Sequence, residues 1–284
     1  MRNIGVIGSG LMGSGIAQVA AQSGFKVLLT DQQSDALQGA VSSIEKRIKR
    51  QYEKGRLEEE VDQILPRIQI TSDIHEFAKL DLVIEAISEN EPLKCALFSQ
   101  LDEICPSTTV LASNTSSVSI TNIAAVTKQP ERVIGMHFFN PVPLMPLLEI
   151  IPGAATNEIT VAAVTRLGEQ LGKTVVQAKD TPGFISNRLL VPFLVEAIFS
   201  LEEGVATRED IDLAVKSGLG HPMGPLELAD LVGLDTLLSI CEVFQREFGD
   251  SKYRPPVLLR RYVAAGWLGR KSGKGFYNYS SASK

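Results

Sequence analysis

Through about residue 180 the chain alternates short runs of Val, Ile and Leu with longer stretches whose apolar positions recur every three or four residues. That alternation predicts strands separated by helices, hence a largely parallel sheet covered on both faces. Strand candidates are 3–8, 26–30, 68–71, 82–86, 109–113, 133–138, 147–151 and 174–178. Most carry consecutive apolar residues without polar alternation, as strands buried on both faces do. Between the second and third, residues 34–65 read as a helix, a turn at Lys54-Gly55 and a second short helix. The segment "QAKDTPGF" (177–184) breaks the pattern with Asp, Thr, Pro and Gly, and predicts a boundary between a domain at 1–182 and another at 183–284. Beyond it the strand pattern stops. "ISNRLLVPFLVEAIFSLEEG" reads as a long apolar helix and "REDIDLAVKSG" as a shorter one. Pro225 suits the first turn of a third, reaching about Phe248. The expected fold is α/β: a doubly wound, mostly parallel sheet with a helical hairpin arm, then an all-α C-terminal domain. A short Ser-rich tail at 280–284 is the one biased segment, and no internal repeat is visible.

Composition narrows the classes. A net charge of −5 argues against general binding to nucleic acid or an anionic membrane surface. No apolar run approaches the roughly eighteen residues needed to cross a bilayer; the nearest, "LLVPFLVEAIFSL", is interrupted by Pro192 and Glu196. Because strand pattern begins at Asn3, no signal peptide is expected. Cys95, Cys105 and Cys241 are odd in number and lack metal-ligand spacing, which predicts reduced thiols in a cytoplasmic protein and no metal site.

Candidate chemistry begins at "GVIGSGLMGSGIAQ", where Gly8, Gly10 and Gly13 form G-x-G-x-x-G between a strand and a helix. In a Rossmann-type fold this turn lets backbone approach a pyrophosphate, and the helix N-terminus offers it free N–H groups. Asp31 ends the second strand, where a carboxylate accepts hydrogen bonds from the adenosine ribose. It would repel a 2′-phosphate by ~4 kcal/mol for unit charges about 4 Å apart, so NAD is expected over NADP.

"GMHFFNPVPLMPLLEI" (135–150) places His137 at the end of one apolar run and Glu149 in the next, in a chain with three histidines. Side by side, the carboxylate would orient the ring and stabilise its protonated form, and a general base of this kind contributes roughly 10²–10⁴-fold. "LASNTSSVSI" sets Thr115, Ser116 and Ser117 after a strand, as helix caps or as hydroxyl donors to a reacting oxygen; spacing does not choose. Asn187, opening the long apolar helix, has the same two readings. "KRIKRQYEKGR" (46–56) packs six cations into eleven positions, a solvated helix face or a phosphate clamp. His75 and His221 read as surface and turn residues.

Together these stretches resemble the L-3-hydroxyacyl-CoA dehydrogenases, most closely the short bacterial 3-hydroxybutyryl-CoA dehydrogenases. The likeness runs through "GSGLMGSGIAQ", "SNTSSVSIT", "GMHFFNPVP", "DTPGFISNR", "HPMGPLELADLVGLD" and "GWLGRKSGKGFYNY". It implies NAD-dependent, reversible oxidation of a (S)-3-hydroxyacyl-CoA, with acetoacetyl-CoA and 3-hydroxybutyryl-CoA as the expected pair. By it His137 is the base, Glu149 its partner, and Ser116 and Asn187 contact the substrate's C3 oxygen and thioester region. Leu11, Met12, Glu89, Lys94 and Asn114 join the glycines and Asp31 around NAD, and Arg50 and Lys54 on the arm hold coenzyme A. A homodimer through the helical domain is implied as well. Relatives usually carry a lysine where this chain has Pro146. Two rival readings are the same chemistry on another acyl chain, such as 3-hydroxyadipyl-CoA, and a non-catalytic NAD-binding protein on this scaffold. Retention of His137, Glu149, Ser116 and Asn187 argues against the latter.

Overall fold

The computed structural model describes residues 1–279, so the Ser-rich tail at 280–284 lies outside the described residues. The chain divides into two compact units, Met1–Phe184 and Ile185–Lys284. In the first, eight strands make one sheet: β1 (Asn3–Ile7), β2 (Lys26–Thr30), β3 (Ile68–Ile70), β4 (Leu82–Glu85), β5 (Val110–Ser113), β6 (Val133–Phe138), β7 (Leu147–Pro152) and β8 (Thr174–Gln177). Their order is β3-β2-β1-β4-β5-β6-β7-β8, with a topological switch point between β1 and β4. All eight strand candidates match, with ends moved by at most one residue. Their helices are α1 (Leu11–Gln22), α2 (Ser34–Glu53), α3 (Val61–Ile64), α4 (Glu91–Ile104), α5 (Ile120–Ala125) and α6 (Glu158–Gln170).

Successive strand residues face opposite sides, so uninterrupted apolar runs need a core on each face. Ile4, Val6, Leu29, Ile84, Met136 and Ile150 enter one core, with Ile16 of α1 and Ile44 of α2. Ile7, Leu28, Val83, Leu111 and Ile151 enter the other, with Phe98 of α4 and Ile123 of α5. The arm helix α2 is held by a single stripe, Leu37, Ala40, Ile44 and Ile48, which leaves its remaining faces to solvent. It ends at Lys54, and Gly55 takes a left-handed φ of 64° that a side chain would resist.

One strand pair departs from the parallel pattern. Eight residues separate Phe138 from Leu147, too few for a crossover of about a dozen or more, so β7 returns antiparallel to β6. That reversal sets Glu149 directly opposite His137.

The second unit is helical: α7 (Ser186–Glu202), α8 (Arg208–Gly218), α9 (Pro225–Val232), α10 (Leu234–Phe248) and α11 (Val257–Ala264). Val191, Leu194, Ile198, Leu226, Leu237, Phe244 and Leu259 make its core. The single helix expected from Pro225 to Phe248 is two helices, because Gly233 takes φ 99°. A Cβ there would meet nothing closer than the far end of the Lys271 side chain, at 3.0 Å, so the break rests on the positive φ that glycine allows. Two buried carboxylates stitch the end of the chain to α9. Asp212 accepts the Leu226 and Glu227 N–H groups at 2.8 and 3.0 Å and the Tyr277 hydroxyl at 2.8 Å. Asp230 accepts the Phe276 and Tyr277 N–H groups, both at 2.9 Å. Among the described residues no helix is long and apolar enough to cross a membrane.

Candidate active site

The turn after β1 is shaped by close approach. Gly8 adopts φ 100°, and a Cβ on Gly13 would stand 1.8 Å from the Gly8 carbonyl oxygen, so α1 and β1 meet only with glycine there. A Cβ at Gly10 would meet nothing within 4 Å, which leaves the backbone open to a ligand. No side chain caps α1, so its first-turn N–H groups, those of Leu11, Met12 and Gly13, stand ready for an anion. Asp31 closes the cradle. Its Oδ2 accepts the Ser9 N–H at 2.7 Å and the Ser9 hydroxyl at 2.8 Å, and Oδ1 accepts the Gln33 N–H at 3.1 Å. Burial pushes its carboxyl upward, but those donors outweigh it and hold it below the ordinary aspartate value. A carboxylate offers about four acceptor sites, so at least one remains for a ribose hydroxyl. The cradle therefore fits a dinucleotide.

At the carboxyl edge of β6, His137 Nδ1 lies 2.7 Å from Glu149 Oε2, with 7% of the histidine and none of the glutamate exposed. A carboxylate accepts, so Nδ1 carries the proton and Nε2 presents the lone pair. Phe139 and Phe184 flank the imidazole at 4.5 and 5.6 Å between ring centres. Asn114 is committed to this edge too, its Oδ1 accepting the Phe138 N–H at 2.9 Å.

Behind the loop after β5 runs a chain of charges, Glu85 and Lys94 buried and Glu89 partly open to solvent. Glu85, fully buried at the end of β4, accepts Lys94 Nζ at 2.6 Å, Ser113 Oγ at 2.6 Å and the Ile87 N–H at 2.8 Å. Lys94 is 1% exposed and also faces Glu89 Oε2 at 3.4 Å, so it is turned toward these two carboxylates and away from the surface. Glu89 Oε1 lies within reach of five donors. The Thr115 hydroxyl is at 2.7 Å and the Ser116 and Ser117 N–H groups at 2.8 Å; their hydroxyls are at 3.1 and 2.9 Å. Burial raises the Glu89 carboxyl, yet Lys94 and these donors bring it below the ordinary value. One oxygen cannot accept five hydrogen bonds at once, so serine hydroxyl capacity remains for a ligand. Thr115 is 1% exposed and its hydroxyl also accepts the Val118 N–H at 2.8 Å, which makes it a loop brace.

Arg50 and Lys54 line a cavity of about 360 Å³ with Arg47 and Arg56. Gln18, Gln51, Pro141, Pro143 and Leu144 complete it. Arg47 donates Nε to Gln18 Oε1 at 2.7 Å, and one terminal nitrogen is buried with no hydrogen-bond partner. Four cations, one of them with an unsatisfied guanidinium nitrogen, suit an anionic ligand with an apolar part. Asn187 belongs to the second unit, in the first turn of α7. The residue preceding that helix is Ile185, so Asn187 is not the cap. His75 and His221 are exposed, His221 lying 5.2 Å from the Phe193 ring.

Glu85 and Arg47 were not singled out in the sequence. For Glu85 the signal was a carboxylate in the apolar run "LVIEA", since such a group requires a buried counter-charge, and for Arg47 it was the cationic run 46–56. Among the described residues no cluster of His, Cys, Asp and Glu could hold a metal ion, and the three cysteines are free.

Residues 3–181 match the family model for the 3-hydroxyacyl-CoA dehydrogenase NAD binding domain, and residues 183–279 that for the 3-hydroxyacyl-CoA dehydrogenase C-terminal domain. A Bacillus subtilis protein named probable 3-hydroxybutyryl-CoA dehydrogenase is 54% identical over 280 residues, covering 98% of each chain. A 3-hydroxybutyryl-CoA dehydrogenase of Bradyrhizobium diazoefficiens is 48% identical, over 99% of this chain and 97% of that one. The crystal structure of (S)-3-hydroxybutyryl-CoA dehydrogenase from Ralstonia eutropha superposes with a TM-score of 0.96 at 46% identity, covering 99% of this chain and 100% of that one.

Proposed function

Since the chain belongs to the 3-hydroxyacyl-CoA dehydrogenase family, we propose that it interconverts (S)-3-hydroxybutyryl-CoA and acetoacetyl-CoA through the His137–Glu149 pair. It is an NAD-dependent oxidoreductase acting on the C3 hydroxyl of a 3-hydroxyacyl-CoA. The observation that carries the proposed role of the pair is the 2.7 Å contact between Nδ1 and a fully buried carboxylate, which leaves Nε2 as the acceptor.

In oxidation, Nε2 takes the proton of the C3 hydroxyl while the C3–H bond breaks with its electron pair, and C3 becomes a ketone. NAD⁺, when bound, supplies the acceptor for that hydride. Glu149 stabilises the imidazolium and fixes the ring, and the flanking Phe139 and Phe184 limit water around it. In reduction, protonated His137 returns the proton to the ketone oxygen. Ser116 serves as a donor to the substrate's C3 oxygen. Backbone at Gly8, Gly10, Leu11, Met12 and Gly13 would hold the cofactor pyrophosphate, with Asp31 on the adenosine ribose. Arg50 and Lys54, joined by Arg47 and Arg56, would receive the phosphates of coenzyme A.

The test is NADH absorbance on adding acetoacetyl-CoA, repeated with a series of 3-ketoacyl-CoA lengths that includes a dicarboxylic one. Consumption that is fastest with the four-carbon ester is expected. Tight NADH binding without turnover would overturn the catalytic reading. We further propose a homodimer through the helical unit, which exposes Leu189, Val205, Leu213, Leu219 and Val257 by half or more.

A further inference from the structure

The loop from Phe139 to Pro146, which joins β6 to β7, forms part of the cationic cavity and begins two residues after His137. Val142, 2% exposed, is pressed onto α1 where Gly15 lies; a Cβ on that glycine would come within 2.9 Å of the valine Cβ. Within the loop, the Leu144 and Met145 N–H groups both donate to the Pro141 carbonyl, at 2.9 and 3.0 Å. From the start of β8 the Lys173 ammonium reaches across and donates to the carbonyls of Val142 at 2.6 Å and Met145 at 2.8 Å. The Thr174 N–H adds a bond to the Pro146 carbonyl at 2.7 Å. Between the two carbonyls held by Lys173 sit Pro143 and Leu144, which with Pro141 face Arg50 and Lys54 in the cavity.

We infer that Lys173 is a positioning residue for the acyl-CoA substrate. Its ammonium holds the loop wall of the cationic cavity, and with it the span between a phosphate bound there and His137. This rests on reading that cavity as the coenzyme A phosphate subsite. Charge-assisted bonds to two carbonyls are stronger than neutral ones, and they close the loop from behind without occupying the cavity. Without them the wall can shift, and the nucleotide end of the substrate no longer orients the thioester end against Nε2. A substrate with no nucleotide gains nothing from that wall. It should not register the loss.

The experiment compares acetoacetyl-CoA with S-acetoacetyl-N-acetylcysteamine, which carries the same reacting group and lacks the phosphates. For Lys173→Met in the full chain, kcat/KM for the coenzyme A ester should fall roughly tenfold, as expected for lost orientation. Activity on the short thioester and KM for NADH should hold, and Lys173→Arg should recover most of the loss. Equal losses on both substrates would mark general damage to the scaffold and overturn the inference, as would no loss on either. If Lys173→Met fails to fold, Lys173→Gln, which keeps one donor, is held to the same criterion. Arg50→Ala and Lys54→Ala separate the two levels of argument. Should neither discriminate between the substrates, the phosphate subsite is misplaced and the inference falls with it. Should they discriminate while Lys173→Met does not, the inference alone fails.

Discussion

Replacing His137 with Ala is expected to lower kcat by roughly 10²–10⁴ while leaving NAD affinity intact, because in the proposed mechanism the imidazole acts on the substrate proton. Glu149→Gln keeps an acceptor beside Nδ1 but removes the charge that stabilises the imidazolium, so it should slow turnover less than His137→Ala. Single-turnover rates of hydride transfer for both variants check this order; equal rates in Glu149→Gln and the parent would remove the carboxylate from the mechanism. Asp31 makes a prediction in pH. Its folded value lies below the 3.8 of an unperturbed aspartate, so its contribution to stability is present above that value and is lost as pH falls through the lower folded one. Asp31→Asn should therefore flatten the difference in Tm between pH 5 and the acid limb, and should weaken NAD binding at neutral pH. An unchanged acid limb would count against the carboxylate's bonds to Ser9 and Gln33.

Among the elements, β4 and α4 are joined by the Lys94–Glu85 pair, both side chains at or below 1% exposure. Removing one partner leaves the other charge buried alone, so Lys94→Met should cost about 3–5 kcal/mol of unfolding free energy. Pairing it with Glu85→Gln should recover most of that cost, since the amide oxygen still accepts from the Ile87 N–H and the amide NH2 can donate to the Ser113 hydroxyl oxygen; denaturant titration of the single and double variants tests this. The strands themselves were legible in the sequence, because runs such as "KVLLT" and "LVIEA" have no polar face to spare and must lie between two layers. Less visible were features set by distant partners. The nine-residue spacing of Glu85 and Lys94 carries no sign that they meet. The apposition of His137 and Glu149 was readable only as two apolar runs that each held one polar group. What decides it is the short connection and the antiparallel return, which place a mid-strand residue of β7 at the carboxyl edge of β6.

For the whole molecule, light scattering should give twice the 30.8 kDa of the chain at working concentration, and a single-chain mass there would refute the dimer. The chain carries a net −5, yet cations gather on the arm, where we propose that the phosphates of coenzyme A bind. Domain order was legible from the loss of strand pattern after "QAKDTPGF", whereas the cavity was not, since Pro141, Pro143 and Leu144 lie some ninety residues beyond the arm that they face. For the proposed His137–Glu149 pair, the alignment of β6 with β7 is all-or-nothing. Rungs on this ladder come in whole steps, so slippage by one would bring Leu148 or Ile150 level with the imidazole and turn the carboxylate to the opposite face. No intermediate setting exists, and under the proposed mechanism a chain that folded with the strands misaligned would be inert, however well it held its ligands.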